Sequence, residues 1–258
     1  MPTPGLINRK MDTLTMQQRP GVGPENFLKN HTANLDSAMI AQNLFTPELC
    51  IGPTEVNQHI KEMTDYNYDA YRPAEDVYWD GDTAGDGDGS NNRFFADPST
   101  TGENPCHTSY AHMALCGARK RFDWRATQKS TVVAFGTRGT GGTYGNSPNG
   151  GQDTGPEYTA SPTLQLHGPK RQWMGHIVFN DNHSDTISTF FHPTVTYMPQ
   201  EATLSGFTPQ RDNIYAAEFN DYPTQGSYQG SGDAWLGMFI AANANGWNVT
   251  PRWDPLDN

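Results

Sequence analysis

The stretch HGPKRQWMGHIVFNDNHSDTIS, from His167 to Ser188, predicts a β-hairpin and is the strongest fold signal in the chain. Ile177 to Phe179 and Thr186 to Phe191 are short apolar runs separated by an Asn-Asp-Asn-His tip. Asn and Asp tolerate the left-handed backbone that hairpin turns need. We interpret His183, at the tip, as a turn residue and not as a metal ligand, because no second ligand stands at metal-binding spacing.

Other elements follow from the residues on either side of this hairpin. Apolar residues at helical spacing predict a helix that begins near Asn34 and ends before Pro47. A short strand is expected at 49–51, and further strands at 108–115 and 131–135. The glycine- and asparagine-rich segment 137–161 has almost no apolar anchor, which indicates a long loop.

The composition describes a polar chain with a thin core. Hydrophobic residues make up only 34% of the sequence, which contains 26 Gly and 19 Pro, yet 11% aromatic residues is too many for a disordered chain. No nucleophile elbow, zinc-protease motif or phosphate-binding loop is present, so we predict that the protein is not an enzyme. Aromatic residues such as Tyr78, Trp79, Trp247 and Trp253 are expected at the surface, where they could bind sugar faces.

The charge balance limits the classes of partner. A net charge of -11 argues against binding to nucleic acid, because no basic stripe is available to neutralise phosphates. The densest basic run, Arg119-Lys120-Arg121, is interpreted as a solvated strand end. No apolar run approaches the roughly 20 residues that a membrane span needs, and no signal peptide is visible.

Three regions are expected along the chain. Residues 1–25 are rich in Pro and Gly and are predicted to be an extended arm or linker. Residues 26–198 are expected to form the folded domain, and residues 199–258 a loop-rich C-terminal extension packed on that domain. Within this extension, Trp235 to Ala242 is the only apolar stretch.

The three cysteines leave two alternatives open. Cys106 and Cys116 lie ten residues apart around an apparent strand, whereas Cys50 stands alone. One disulfide with one free thiol and three buried thiols are both consistent with this spacing.

An acidic loop is the candidate metal site. The sequence WDGDTAGDGDGSNNRFFAD, from Trp79 to Asp97, alternates Asp with Gly, so that carboxylates can converge on one hard cation along a tight backbone path. Two registers of the twelve-residue calcium loop, starting at Asp82 and at Asp86, both fail to match, because Asn91 or Ala84 and Arg93 stand at positions that the loop needs for glycine or for ligands. We predict a calcium site of a different type, and the alternative is a solvated acidic turn. The predicted ligands are Asp80, Asp82, Asp86 and Asp88.

Three segments resemble a known family in collinear order. The run SPTLQLHGPKRQWMGHIVFNDNHSDTI (161–187), with its His-Gly, Trp-x-Gly and Asn-Asp-x-His elements, resembles the C-terminal region of planctomycete-type prepilin-like, pseudopilin-related proteins. The runs ENFLKNHTANLDSAMIAQNLFTPELCIGPTEV (25–56) and TSYAHMALCGARKRFDW (108–124) are similar to the same family. The resemblance implies an α+β fold: a pilin-like globular domain with one N-terminal helix packed on an antiparallel β-sheet and long polar loops.

The resemblance also implies a function. We expect a non-enzymatic structural subunit of an extracellular or cell-surface filament, pilus-like or secretion-type, built from identical subunits. The family's cleavage motif and long apolar helix are missing here. The chain is therefore expected to be a fragment of a longer prepilin, a mis-started gene product, or a relative that assembles through other surfaces. The alternatives are a secreted polysaccharide-binding module or hydrolase, and a viral coat component.

Overall fold

The computed structural model describes most of the chain. It does not describe residues 8–9, 12–13, 15–17, 20–23, 73–76, 83–92, 100–103, 127, 142–150, 152, 170, 198–208, 218–232 and 255–258. The helices are α1 (Thr32–Ala41) and α2 (Gly155–Ala160), and short helical turns lie at Pro4–Leu6, Phe27–Lys29, Pro47–Cys50, Arg119–Asp123 and Pro162–Gln165. The strands are β1 (Lys10–Met11), β2 (Gln18–Arg19), β3 (Tyr110–Met113), β4 (Val133–Thr137), β5 (Gly175–Phe179), β6 (Ser184–Ile187), β7 (Phe191–Tyr197), β8 (Gln210–Asn213), β9 (Leu236–Ala242) and β10 (Val249–Arg252).

A six-stranded antiparallel sheet forms the centre of the fold. Its strand order is β10-β9-β3-β4-β5-β6, and two small sheets, β1-β2 and β7-β8, stand apart from it. Together with the few helices, this sheet confirms the α+β class. The predicted region boundaries at residues 25 and 198 stay predictions. Among the described residues, no helix is long and apolar enough to cross a membrane.

The predicted hairpin is confirmed as β5 and β6. Phe179 N–H donates to the carbonyl of His183 at 2.9 Å, and Asn182 N–H donates to the carbonyl of Phe179 at 2.9 Å. Asn182 has a φ of 69°, so the turn uses the left-handed conformation expected of the Asn-Asp-Asn tip. The second strand ends at Ile187 and not at Phe191, because the chain bends there and Phe191 begins β7.

The predicted helix is confirmed as α1, which packs on the sheet near β9. Leu35 and Met39 join the hydrophobic core that also contains residues of β3 and β4. Polar residues of the same helix are also buried, so each needs a hydrogen-bond partner. Asn34 accepts from the indole of Trp79 at 2.8 Å, and the Ser37 hydroxyl donates to the carbonyl of Asp80 at 2.5 Å. The helix therefore lies between the sheet and the segment around residue 80.

Two local predictions are wrong. Residues 49–51 do not form the predicted strand, because a 3-10 turn runs from Pro47 to Cys50. The fixed φ of proline favours the first position of a helical turn, and Pro47 occupies that position. The basic run is not a solvated strand end, because it lies in the π-helical turn Arg119–Asp123. Arg119 is buried there and pairs with Asp233, while Lys120 pairs with Glu25.

An aromatic cluster explains the Trp-x-Gly element of the opening stretch. Trp173 packs edge-to-face against Phe190 and Tyr215, with ring centroids 5.0 and 5.4 Å away. A Cβ on Gly175 would lie 2.3 Å from the Trp173 ring, so glycine is needed for this close approach. The Trp-x-Gly motif therefore places a buried tryptophan two residues before the first residue of β5.

All three cysteines are free and buried. The sequence left open either one disulfide with one free thiol or three buried thiols, and the structure has three buried thiols. Burial raises the pKa of the Cys106 thiol to about 12, and burial is also the main cause that raises the pKa of Cys50. These thiols are therefore protonated, buried side chains that belong to the core.

Candidate functional site: a groove beside a histidine pair

An open groove of about 870 Å³ lies next to the 3-10 turn Pro47–Cys50. Its lining includes three large side chains that remain exposed: Leu49 at 63%, Val56 at 36% and Tyr110 at 36%. Glu48, Lys61 and Glu62 line it as well, so both signs of charge are present. Exposed apolar side chains in a concave surface with charged neighbours are typical of protein-binding sites.

One wall of the groove is fixed by a buried charge cluster. Arg138 forms ion pairs with both Glu55 and Asp254, and all three side chains are at most 5% exposed. Asn57 donates to the same Asp254 carboxylate at 2.8 Å. The other oxygen of Glu55 accepts from two backbone N–H groups of the loop, those of Val56 and Asn57, each at 2.9 Å. The loop is thereby tied to the end of β4 and to the C-terminal segment.

A pair of histidines lies beside this loop. The rings of His167 and His176 are 5.3 Å apart between centroids and are inclined by 69°. His167 Nδ1 is 3.3 Å from the Thr54 hydroxyl, and Thr54 stands between the groove residues Pro53 and Glu55 in the sequence. His176 Nδ1 is 2.9 Å from the Thr186 hydroxyl, across the β5–β6 pair. Partial burial, and then the neighbouring His176, lower the pKa of His167.

His183, the third histidine of the opening stretch, serves the turn. Its ring stacks on Phe179 with the centroids 4.1 Å apart and the planes inclined by 8°. Its Nδ1 contacts the carboxylate of Asp181, which also accepts from the His183 backbone N–H at 3.2 Å. The bond to His183 holds the pKa of the Asp181 carboxyl below its usual range, although burial acts in the opposite direction. The structure thus places His183 as the turn residue that was expected.

The first part of the acidic loop is attached to the core by a lysine. Asp82 is buried, and both of its carboxylate oxygens lie 3.1 Å from the Lys29 ammonium group. The same carboxylate accepts from the Tyr78 backbone N–H at 2.9 Å. Lys29 also lies 5.1 Å from the centroid of the Tyr78 ring. The sequence analysis predicted a calcium ion as the positive charge next to Asp82. In the structure Lys29 supplies a positive charge at this position.

The four predicted calcium ligands are only partly placed. Asp80 is buried beside α1, and Asp82 is paired with Lys29. Asp86 and Asp88 lie outside the described residues. Within the described part of the chain, no group of three or more His, Cys, Asp or Glu residues is arranged to hold a metal ion. The calcium site therefore stays a prediction.

The predicted aromatic surface is wrong in part. Tyr78 and Trp79 are buried at 4% and 2% exposure, because they cover α1. Trp247 and Trp253 are half-buried. Two other tyrosines near this cluster, Tyr68 and Tyr71, are exposed instead.

The groove and the histidine pair could not be found by sequence reasoning. Leu49 was assigned to a strand, and nothing in the sequence indicates that Val56 and Tyr110 would line the same concave surface. In the sequence, the two histidines are visible only as a His-Gly pair at His167 and a second histidine nine positions after His167, at His176. The two rings meet across a segment in which Gly168 has a left-handed φ of +83° and packs against Met174, which nine residues of sequence do not reveal.

The chain was compared with family models, curated proteins and solved structures. No family model matches the chain, and no curated protein or solved structure matches it either.

Proposed function

We propose that the chain is a non-enzymatic structural subunit that packs with copies of itself. In this proposal α1 and the six-stranded sheet form a pilin-like globular domain of an extracellular or cell-surface filament, pilus-like or secretion-type. The observation that carries the proposal is the groove beside Pro47–Cys50, where Leu49, Val56 and Tyr110 are exposed. The loop that carries Val56 is held in place by the ion pair between Glu55 and Arg138.

The proposed occupant of the groove is a neighbouring copy of the chain. The groove is lined by apolar side chains together with Glu48, Lys61 and Glu62, so a partner surface must offer apolar area and charges of both signs. Exposed apolar side chains of this chain elsewhere, such as Leu28 and Phe122, are of the kind that could fill it. A groove on one copy that receives a different surface of the next gives a head-to-tail contact, which can propagate as a filament.

Negative-stain electron microscopy of the purified chain over a range of concentrations tests this function. The proposal expects filaments or discrete oligomers whose abundance rises with concentration. Single particles of monomer size at every concentration, confirmed by light scattering, would exclude it.

Calcium belongs to this proposal as a factor that orders the acidic loop. The proposed ligands are Asp80, Asp82, Asp86 and Asp88, with Lys29 competing for Asp82. Ligand binding to the folded state at a hundredfold excess over its dissociation constant stabilises by about 2.7 kcal/mol. Calcium should therefore raise the melting temperature of the chain but not that of the Asp86→Asn, Asp88→Asn variant. Superimposable melting curves with calcium and with a chelator would leave only a solvated acidic turn.

A polysaccharide-binding module is the second candidate, and the exposed Tyr68 and Tyr71 favour it. Tyr68 lies 4.7 Å from Tyr66, and Tyr71 lies 6.0 Å from Tyr78, between ring centroids in each case. Rings supported in this way can stack on sugar faces. Binding on a glycan array that disappears in the Tyr68→Ala, Tyr71→Ala variant would support this candidate, and an array without signal would remove it.

A further inference from the structure

We infer that His167 and His176 form a two-histidine site for a divalent transition-metal ion of the zinc and copper(II) class. The two rings are neighbours, with their centroids 5.3 Å apart. They come from parts of the chain that the fold holds in place: His176 lies in β5, and His167 precedes the left-handed turn at Gly168. A Cβ on Gly168 would lie 2.8 Å from the Cβ of Met174, so the turn packs directly on the residues before His176.

The hydrogen bonds of the two rings use Nδ1 and leave Nε2 of each ring free to bind a metal ion. Each Nδ1 lies against a threonine hydroxyl, 3.3 Å from Thr54 for His167 and 2.9 Å from Thr186 for His176. When the hydroxyl accepts from Nδ1–H, the lone pair remains on Nε2, which is the form that binds a metal. Neither Nε2 has a hydrogen-bond partner among the residues that the structure describes.

The chemistry of the two ligands selects the class of metal. Imidazole suits zinc, copper and nickel, whereas calcium and magnesium prefer oxygen ligands. His176 is exposed and His167 is half-buried, so an ion can reach the pair from solvent. No third protein ligand is placed at this pair among the described residues, so water fills the remaining coordination positions. The proposed site uses no residue of the acidic loop and does not depend on the proposed function.

The threonines are assigned as positioning residues. Thr54 precedes Glu55, whose carboxylate is held by Arg138, so the hydroxyl that contacts His167 belongs to a fixed loop. Thr186 pairs directly with His176 in the β5–β6 register. Loss of an outer partner of a metal-binding histidine weakens metal affinity by about 10–100-fold.

Calorimetric titration of the untagged chain with zinc chloride and with copper(II) chloride tests the site. The wild-type chain should bind one ion, with copper(II) bound more tightly than zinc. His167→Ala and His176→Ala should each weaken binding by at least about tenfold, and Thr186→Val should weaken it measurably. The matched control is His183→Ala, since this third histidine of the stretch is held by Phe179 and Asp181, and its replacement should leave the affinity unchanged.

Electron paramagnetic resonance of the copper(II) complex gives a second readout. Coupling to two imidazole nitrogens is expected in the wild-type chain and to one in either histidine variant. Circular dichroism establishes that each variant remains folded. The inference is overturned if the wild-type chain shows no saturable binding, if only one of the two histidines affects the affinity, or if His183→Ala abolishes binding.

Discussion

Thr32 at the start of α1 and His112 in β3 are hydrogen-bonded at 2.8 Å although they lie 80 residues apart in the sequence. The Nδ1 of His112 is 2.7 Å from the carbonyl of Met113, so it carries the proton, and Nε2 accepts from the Thr32 hydroxyl. The Thr32 oxygen in turn accepts from the backbone N–H of Phe239 at 2.6 Å. One chain of hydrogen bonds thus joins α1, β3 and β9, and burial favours the neutral form of its imidazole by lowering the pKa of His112.

The first prediction concerns the loss of stability in acid. Burial lowers the pKa of His112, and also that of His31, from 6.5 to about 4. Between pH 6.5 and pH 4 the unfolded chain therefore binds protons that the folded chain does not, so the free energy of unfolding falls as the pH falls. Each histidine contributes up to about 1.4 kcal/mol per pH unit in that window.

The buried carboxyl of Asp36 changes stability with pH in the opposite direction to the two histidines. The effect of His112 must therefore be isolated by comparing the wild-type chain with a variant of His112. Burial raises the pKa of Asp36 from 3.8 to about 7, so its contribution to stability is present in acid and is lost as the pH rises to about 7. Urea unfolding at several pH values should show that His112→Gln has a shallower dependence on pH than the wild-type chain. Equal slopes for the two proteins would contradict the role assigned to His112.

The second prediction tests the close approach of Gly175 to Trp173. An added methyl at Gly175 meets the indole at 2.3 Å, so Gly175→Ala should lower the free energy of unfolding by about 1–3 kcal/mol. The control is Gly52→Ala, since its added Cβ meets nothing closer than 3.3 Å. Chemical denaturation of both variants makes the comparison. A loss at Gly175 no larger than the loss at Gly52 would show that the ring is not packed there.

The third prediction tests the buried pair of Lys29 and Asp82. Lys29→Met leaves the Asp82 carboxylate buried without its cation, and removal of one partner of a buried pair costs about 3–5 kcal/mol. Adding Asp82→Asn removes the uncompensated charge and should restore part of this loss. Denaturant unfolding of both single variants and of the double variant measures the coupling. Strictly additive losses would contradict a direct interaction.

The fourth prediction concerns the thiols. Because all three cysteines are buried and free, none should react with an alkylating reagent at neutral pH in the native state, and all three should react after unfolding. Intact mass should be the same with and without reductant. A native mass two protons lower, which the Cys106–Cys116 alternative required, would contradict the structure.

The hairpin and α1 were predictable because their signals are local. Two short apolar runs and the Asn-Asp-Asn-His tip between them predict β5 and β6, and apolar residues at helical spacing predict α1. The 3-10 turn at Pro47–Cys50 was missed because a run of four residues is too short to show a period. The burial of Tyr78 and Trp79 was missed because it depends on α1, which lies far away in the sequence.

The site was less predictable than the fold. Lys29 and Asp82 lie 53 residues apart, and Arg138 and Asp254 lie 116 apart, so neither pair leaves a pattern in the sequence. In the sequence of a polar chain, the residues around a single charged side chain do not show whether that side chain is solvated or buried. The basic run at Arg119 illustrates this limit, since two of its three cations have specific carboxylate partners.

If the groove mediates self-assembly, a charge placed inside it should prevent association, and light scattering of one pair of variants measures this. Leu49 and Leu44 are equally exposed, at 63% and 62%, but only Leu49 lines the groove. A charge at Leu49 should be desolvated on association, whereas one at Leu44 should not. Self-assembly through the groove predicts that the wild-type chain and Leu44→Glu associate as the concentration rises and that Leu49→Glu does not. Assembly that persists unchanged in Leu49→Glu, or a wild-type chain that stays monomeric at every concentration, would contradict it.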